Sequence, residues 1–425
     1  MKAYDFSEYY NQLDNREVFS NLINTPWYED SIYPRFSDEE FERRYRLTRE
    51  KMERLGVDVL LAPGGPHHWS YGGGMMWLSG HWNWHCMVEY VALPLKGDPL
   101  QVYSFGGTHL QAIRHLSYVK DVRNSYGGQF IKVISEWLHE NGLEKSKIGI
   151  AESDWTFHEY VPINHLEQLE EFCPDATIEL LPDFFHELVY LKSAEEQEFV
   201  AKAGKLLVDA IYAIRDRARP GVMEFQLAAT AAKAIMDGDG MLDFLIIGST
   251  SMENPAQLFG NPRPSWKELK EGDIILTELA AGYHGYSAQL GVPICVGEPT
   301  DRVRNFFDEI VLPGYLKMAE TIKPGNTLED VRQAGLFFRE KGVQSRPLHL
   351  HGIDFVSNSP HIGVDHIRAF PYEEEIKPGA CLMLEPCPIT AEGDLGMFYG
   401  HTFNVVEDGA VRVTEMKDEL LVARW

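Results

Sequence analysis

The sequence predicts two folded parts of different class: an α/β domain over residues 1–185, with a helical extension over 1–56, and an α+β domain over residues 186–425. Three observations lead there. At 425 residues the chain exceeds what one ordinary core organises. Strand and helix patterns alternate up to about residue 180. Beyond it, two long helices are followed mainly by strands, the order of an α+β domain.

The elements follow in order. Ser37 with Glu40 opens "SDEEFERRYRLTREKMERLG" as a capping box. Phe41, Tyr45, Met52 and Leu55 share one helical face, and Gly56 ends the helix. "VDVLLAP" is a buried strand, and "EYVALPLKGDPLQVYSF" is a pair of strands joined by a Gly-Asp-Pro turn. "GGQFIKVISEWLHENGLEKSKIGIAE" continues the alternation. Ser193 then caps a long amphipathic helix that stops at Pro220-Gly221. A second helix, "EFQLAATAAKAIMDGDG", precedes the strands "DIILTEL", "GYSAQLGVPICV", "CLMLEPCPI" and "HTFNVVEDGAVRV". Helices at "VRNFFDEIVLPGYLKMAETI" and "LEDVRQAGLFFREKG" interrupt them.

Hydrophobic residues make up 44% of the chain and charged residues 24%, the composition of a soluble globular protein. The formal charge of -25 argues against a nucleic-acid partner, which needs a basic surface. It suits an enzyme for a cationic small molecule. The first twenty residues lack the apolar run of a signal peptide, and no stretch reaches membrane-spanning length. A cytoplasmic protein without a membrane partner is expected. Cys86, Cys173, Cys295, Cys381 and Cys387 form no CxxC pair and read as reduced thiols. No P-loop, GxSxG or HExxH, and no GxGxxG after a strand, competes for the chemistry.

The informative segments are "WLSG" with "VALPLKGDP", then "LKSAEEQEFVAKAG", "EGDIILTELAAGYHGYSAQLG", "HLHGID", "LMLEPCPI" and "NVVEDGAV". In this order and spacing they resemble the pita-bread enzymes, among them methionine aminopeptidase, prolidase, aminopeptidase P and creatinase. The resemblance covers nearly the whole chain. It implies a C-terminal pita-bread domain and a smaller creatinase-like N-terminal domain. It also implies a homodimer in which one subunit's N-terminal domain covers the other's pocket.

The family's peptidases hold two divalent ions with two aspartates, a histidine and two glutamates. Four carboxylates offset the two charges and position a shared hydroxide. Matched residue by residue, Glu278 and Gln289 stand at the aspartates, His351 at the histidine and Glu385 at the first glutamate. The last glutamate falls at Gly400, or at His401 if one residue is gapped. Gln289 is neutral and a poor ligand for a hard dication, so no resident metal is expected. A single divalent transition metal on Glu278, His351 and Glu385 is the alternative. The peptidases' substrate-positioning histidines are missing too: their "VHE" is Val356-Ser357-Asn358, and Phe259 replaces the histidine before a glycine in "LFGNPRP".

The site pattern is closer to creatinase, the family member that works without metals. That resemblance makes His351, His401 and Glu385 the catalytic residues, with the histidines moving protons. Glu278 and Glu385 would hold a cationic group, since a buried carboxylate needs such a partner. Gln289 would offer its amide to a neutral group. Phe259, Arg368 (to a carboxylate) and Trp82, from the aromatic-rich "HHWSYGGGMMWLSGHWNWH", complete the expected substrate contacts. His349 and His361 are expected to be structural or peripheral, and His284 exposed in a hairpin turn. Two departures stand out: creatinase's second guanidinium-binding glutamate falls near Gly291, and its proton-transferring histidine near Phe259. The expected function is hydrolysis of a C–N bond in a small nitrogenous metabolite: an amidine, cyclic amide or betaine-like compound. The alternatives are a mononuclear-metal enzyme, either an Xaa-Pro-type peptidase or a dimethylsulfoniopropionate-type lyase, and a catalytically inactive binding module.

Overall fold

The protein is described here by a computed structural model over residues 33–64, 71–82, 88–103, 107–153 and 158–425. The helical extension before residue 33, and His67, His68, Trp69, Trp84, His85 and Cys86, lie outside the described residues. The chain divides into one unit up to Val189, joined by Phe355–Ser357, and a second from Tyr190 to Asp354 and Asn358 to Trp425.

In the first unit, the Ser37 hydroxyl accepts from the Glu40 N–H and starts helix α1 (Asp38–Leu55). Half of the expected capping box is absent, because the Glu40 carboxylate is taken by Arg44 at 2.7 Å. Arg44 is buried, and it also donates to the Trp77 carbonyl at 2.9 Å. The buried stripe of α1 therefore runs Phe41, Arg44, Thr48, Met52, and Leu55 falls off its end with 42% exposure. Strands β1 (Val59–Gly64), β2 (Glu89–Pro94), β3 (Leu100–Tyr103), β4 (Asp121–Asn124), β5 (Lys147–Ala151) and β6 (Thr177–Leu181) form one sheet, ordered β4-β3-β2-β1-β5-β6. The β2–β3 turn contains Gly97 at φ 109, a conformation open to glycine. Helices α2 (Phe130–Glu140) and α3 (Ile163–Phe172) cover a core of Tyr90, Phe130, Ile134, Trp137 and Leu169.

The second unit opens with α4 (Ala194–Arg217), whose cap is reciprocal: Glu196 N–H donates to Ser193 Oγ, and Ser193 N–H donates to Glu196 Oε2 at 2.8 Å. α5 (Glu224–Asp237) packs on α4. Strand β7 (Met241–Ser251) is not among the strands expected from the sequence. Its apolar run carries no clean alternation, and Asp243 sits where the pairing shifts between Leu242 and Phe244. Then come β8 (Asp273–Tyr283), β9 (Tyr286–Gly291), β10 (Ile294–Val296), α6 (Leu312–Ala319) and α7 (Leu328–Gly335). A single π turn, Phe307–Val311, precedes α6. Pro313, which has no N–H to give, follows it in the first turn of α6. The remaining strands are β11 (Gln344–Ser345), β12 (Leu348–Gly352), β13 (His361–Gly363), β14 (Ile367–Arg368), β15 (Cys381–Leu384), β16 (Pro388–Ile389), β17 (Gly400–Val406), β18 (Gly409–Arg412) and β19 (Leu421–Ala423). They build a large sheet ordered β14-β13-β12-β15-β17-β9-β8-β10-β19, with β7 on β8, β18 on β17, and β11 paired with β16 apart from it.

Register fixes which side chains share a face, because neighbours along a strand point oppositely. One row pairs Leu290 with His401, His401 with Leu384, and Leu384 with Leu350. This is the helix-covered back: Tyr286, two strand positions before Ala288 and four before Leu290, donates its hydroxyl to Glu196 of α4 at 2.8 Å. The adjacent row runs Ala280, Gln289, Thr402, Met383, His351, His361 and Arg368 along the front. Thr402 Oγ stitches two of its strands by donating to the Gln289 carbonyl at 2.8 Å and accepting from the Gln289 N–H at 2.9 Å.

Candidate active site

Glu278, Gln289, His351 and Glu385 come together on the front of this sheet. Each is less than a tenth exposed. β8 carries Glu278 two positions before Ala280, so both face the same way. The Glu385 N–H donates to the His349 carbonyl at 2.7 Å, and the residue follows β15 directly.

The imidazole of His351 is held at both nitrogens. Nδ1 lies 2.7 Å from the Gly352 carbonyl, an acceptor, and so carries a proton. Nε2 is 2.9 Å from Gln289 Oε1 and 3.5 Å from Glu385 Oε2. Burial alone would depress the ring. The charge and hydrogen bonding of Glu385, the Gly352 carbonyl and the charge of Glu278 outweigh it and raise the His351 pKa above its ordinary value. An amide at position 289 suits this ring in either state. Its oxygen accepts from the imidazolium, and turned about, its NH2 donates to the neutral ring. An aspartate could do only the first.

Glu278 has the opposite problem. Burial, reinforced by the nearby charge of Glu385, pushes its carboxyl up to about 8, with Arg346 and His351 opposing. Glu385 Oε2 is buried and, apart from the 3.5 Å approach of His351 Nε2, has no hydrogen-bond partner among the described residues. An orphaned carboxylate oxygen at the side of an imidazole is a place for a ligand's N–H group.

These donors do not fit the two-metal set. Gln289 contributes no charge. Gly400, at the last ligand position, contributes no side chain, and neither does Gly291, which faces it across β9 and β17. Nor is there room for one. A Cβ on Gly291 would lie 2.4 Å from the Phe398 ring and 2.5 Å from the Thr277 carbonyl oxygen. One on Gly400 would lie 2.7 Å from Met383 Cε and 3.0 Å from the Leu384 carbonyl oxygen. Apolar side chains stand where ligand carboxylates would project. Among the described residues, no group of three or more His, Cys, Asp or Glu is arranged to hold a metal ion.

His401 does not join the site. It sits on the back, fully buried, with Nδ1 2.9 Å from Thr414 Oγ and its ring against Tyr315 and Tyr399. The assignment that allowed a one-residue gap turned it to the wrong face, and Gly400 is the residue on the front. Burial, with help from the Arg412 charge, lowers its pKa to about 3. His361 is closer to the chemistry than expected: it pairs with His351, with ring centroids 6.4 Å apart. Burial and the charges of His351, Arg368 and His366 lower it to about 4. Arg368 lies one strand further out and is exposed. His349 is buried against Phe338, beside Ser345 Oγ at 2.9 Å. The His284 ring is covered rather than exposed, with Nε2 2.8 Å from Asp239. Trp82 belongs to the first unit and is half-buried.

Two residues were missed. The guanidinium of Arg346 lies 3.8 Å from the centroid of the Phe259 ring, and Phe259 meets Phe398 edge to face at 5.5 Å. Two facing glycines, Gly400 at a metal-ligand position and Gly291 at creatinase's guanidinium-binding position, were the available signal for Phe398: such a gap needs a bulky neighbour. Arg346 gave no local signal, since only the topology brings it beside Phe259.

A sheet whose front gathers two buried carboxylates, an imidazole and an amide, with helices packed on its back, has the form of a pita-bread site. The chain belongs to metallopeptidase family M24, whose pattern it matches over residues 198–416, more than half its length. It is 24% identical over 347 residues to an Xaa-Pro dipeptidase of Pyrococcus furiosus, covering 76% of this chain and 93% of that one. An ectoine hydrolase of Halomonas elongata is 23% identical, covering 70% and 76%. A creatinase of a Bacillus species is 20% identical, covering 91% and 93%. Among solved structures, an Xaa-Pro dipeptidase from Bacillus anthracis superposes with a TM-score of 0.71 at 18% identity, over 90% of this chain and 99% of that one. That likeness is one of fold. No helix among the described residues is long and apolar enough to cross a membrane.

Proposed function

We propose that the protein is a non-peptidase hydrolase that cleaves a C–N bond in a small nitrogenous metabolite, an amidine, cyclic amide or betaine-like compound. One observation carries the reading: His351 Nε2 faces Gln289 and Glu385, while Phe398 and Met383 occupy the space that metal-binding carboxylates would need. One relative named ectoine hydrolase and one named creatinase support it, while the Xaa-Pro dipeptidase relative supports the family alone.

The chemistry needs no group beyond these side chains and water. Glu278 and Glu385 hold the cationic nitrogen of the substrate, whose charge offsets the cost of two buried carboxylates. Neutral His351 takes a proton from water on Nε2 as the water oxygen bonds to the substrate carbon. Glu385 stabilises the imidazolium. The same proton then passes to the nitrogen as the C–N bond breaks. The Gly352 carbonyl, accepting from Nδ1, keeps the ring oriented throughout, and the Gln289 amide yields Nε2 to the water. The protein acts as a homodimer in this proposal, which sedimentation would check.

The test is turnover of a panel of amidines, cyclic amides and betaine-like compounds against Xaa-Pro dipeptides, with and without chelator, alongside metal content per chain. Chelator-resistant release of product from a non-peptide compound is expected. Chelator-sensitive dipeptide cleavage with two metals per chain would overturn the proposal.

A further inference from the structure

We propose that a cavity beside β12, ending on the buried ring of His349, is a second binding site, for a small neutral molecule that is mostly apolar and carries one hydrogen-bonding group. It goes beyond the hydrolase reading above and stands without it.

The cavity measures about 320 Å³, within the range of small-molecule pockets. It lies inside the second unit, where the end of α7, the helical turn Phe337–Glu340, β11 and β12 meet. None of Glu278, Gln289, His351 and Glu385 lines it. Its apolar wall comes from Phe338, Val343 and Val364. At its exposed mouth Arg339 is paired with Asp365, so the two charges cancel and neither a cation nor an anion is favoured.

His349 gives the cavity its one buried polar end. The residue is 1% exposed. Its Nε2 lies 2.9 Å from Ser345 Oγ, while Nδ1 is buried and has no hydrogen-bond partner among the described residues. Such a nitrogen carries a desolvation cost that a ligand's hydrogen bond would offset. Gly335 leaves it uncovered by α7. A Cβ there would lie 2.8 Å from Nδ1, and the residue is helical, so glycine supplies space here rather than backbone freedom.

Ser345 and His349 have the contact of a nucleophile and its base, but they are not built to react. Burial lowers the ring to about 4, and no acid orients it through Nδ1. A neutral ring can bind instead. When Ser345 donates to Nε2, Nδ1–H donates to the ligand; when Nε2–H donates to Ser345, Nδ1 accepts. The ligand therefore brings one donor or acceptor on an otherwise apolar frame. Its position is close to the chemistry without being part of it. β12 carries His349 two residues before His351, and the His349 carbonyl accepts from the Glu385 N–H at 2.7 Å.

The experiment titrates the full chain by calorimetry with benzimidazole, in mildly alkaline buffer where it is neutral, and with indene, the same bicycle without nitrogen. The His349 ring nitrogens are followed by NMR. Wild type should bind both, and benzimidazole should move the Nδ1 resonance. In His349→Phe the affinity for benzimidazole should fall about 3- to 10-fold, the worth of one neutral hydrogen bond, while that for indene is kept. Retained indene binding also shows that this variant is folded. Val364→Trp fills the cavity from its half-buried rim and should weaken both probes in a chain with an unchanged far-ultraviolet spectrum. Absence of benzimidazole binding to wild type, or an affinity untouched by His349→Phe and Val364→Trp, overturns the site. So does loss of benzimidazole binding in Glu385→Gln, which would put the probe on the front carboxylates.

Discussion

His351 and His401 are both buried in one sheet, two strands apart on neighbouring rows, and the protein shifts their pKa values in opposite directions. His351, on the front, is raised by Glu385, Gly352 and Glu278 against the pull of burial. His401, on the back among Tyr315 and Tyr399, falls to about 3, with Nε2 unpartnered among the described residues. Burial is common to the two, so burial does not decide the outcome. What decides it is whether carboxylates face the ring. The front favours a proton on its ring, as the proposed chemistry requires; the back disfavours one.

The strongest way to break this contrast is to remove the charge that creates it. In Glu385→Gln, His351 keeps its burial and loses its main attraction, so its pKa should fall below the ordinary value, as read by imidazole NMR. Turnover of whichever panel compound the wild type cleaves should fall about 100- to 10,000-fold, the usual weight of a general acid–base device. A normal rate with a shifted histidine would mean that His351 is not the proton carrier.

A smaller effect tests whether the front can be returned to metal chemistry. Gly400→Glu, at the position of the peptidases' last ligand glutamate, places a Cβ 2.7 Å from Met383 Cε and 3.0 Å from the Leu384 carbonyl oxygen. The methionine can move and the backbone cannot, so the variant should lose about 1–3 kcal/mol in denaturant titration without gaining metal. Stoichiometric metal in a fully stable Gly400→Glu chain would show that the front had kept its ligand geometry.

The sequence carried the fold and part of the site, for different reasons. The Ser193–Glu196 cap and the β2–β3 turn are local, and local chemistry is visible in a string of residues. Glu278, Gln289, His351 and Glu385 were found through the order of their segments. His401 was misplaced because a gap of one residue in a strand reverses the face, and no composition argument detects that. Strand β7 was missed because its apolar run, broken by Asp243 and closing on Ser249–Ser251, shows no clean alternation to read. Arg346 was missed because its partner, the Phe259 ring, is 87 positions away in the chain; only the folded sheet makes them neighbours.

The contrast sharpens from the back with His401→Gln. The ring donates or accepts one bond at Thr414, and the substitution should cost about 1 kcal/mol of stability with turnover unchanged. A large loss of turnover would return His401 to the chemistry.

The finest effect lies in how stability depends on pH, and here the two faces have opposite signs. His401 is depressed from 6.5 to about 3, so the unfolded chain binds its proton first. Its contribution is present above pH 6.5 and is lost as pH falls toward 3. Glu278 is raised from 4.5 to about 8, so the folded chain holds its proton longer. Its contribution is present below pH 4.5 and is lost as pH rises through 8. Each proton changes the slope by about 1.4 kcal/mol per pH unit within its window. His401→Gln should therefore flatten the acid limb of a denaturation series, and Glu278→Gln the alkaline limb. Neither limb vanishes: His349 and His361, both lowered to about 4, still act on the acid side. Asp243 at about 8 and Glu373 at about 7 still act on the other. If both substitutions flattened the same limb, the two faces would not differ in the way that separates a proton carrier from a packed ring.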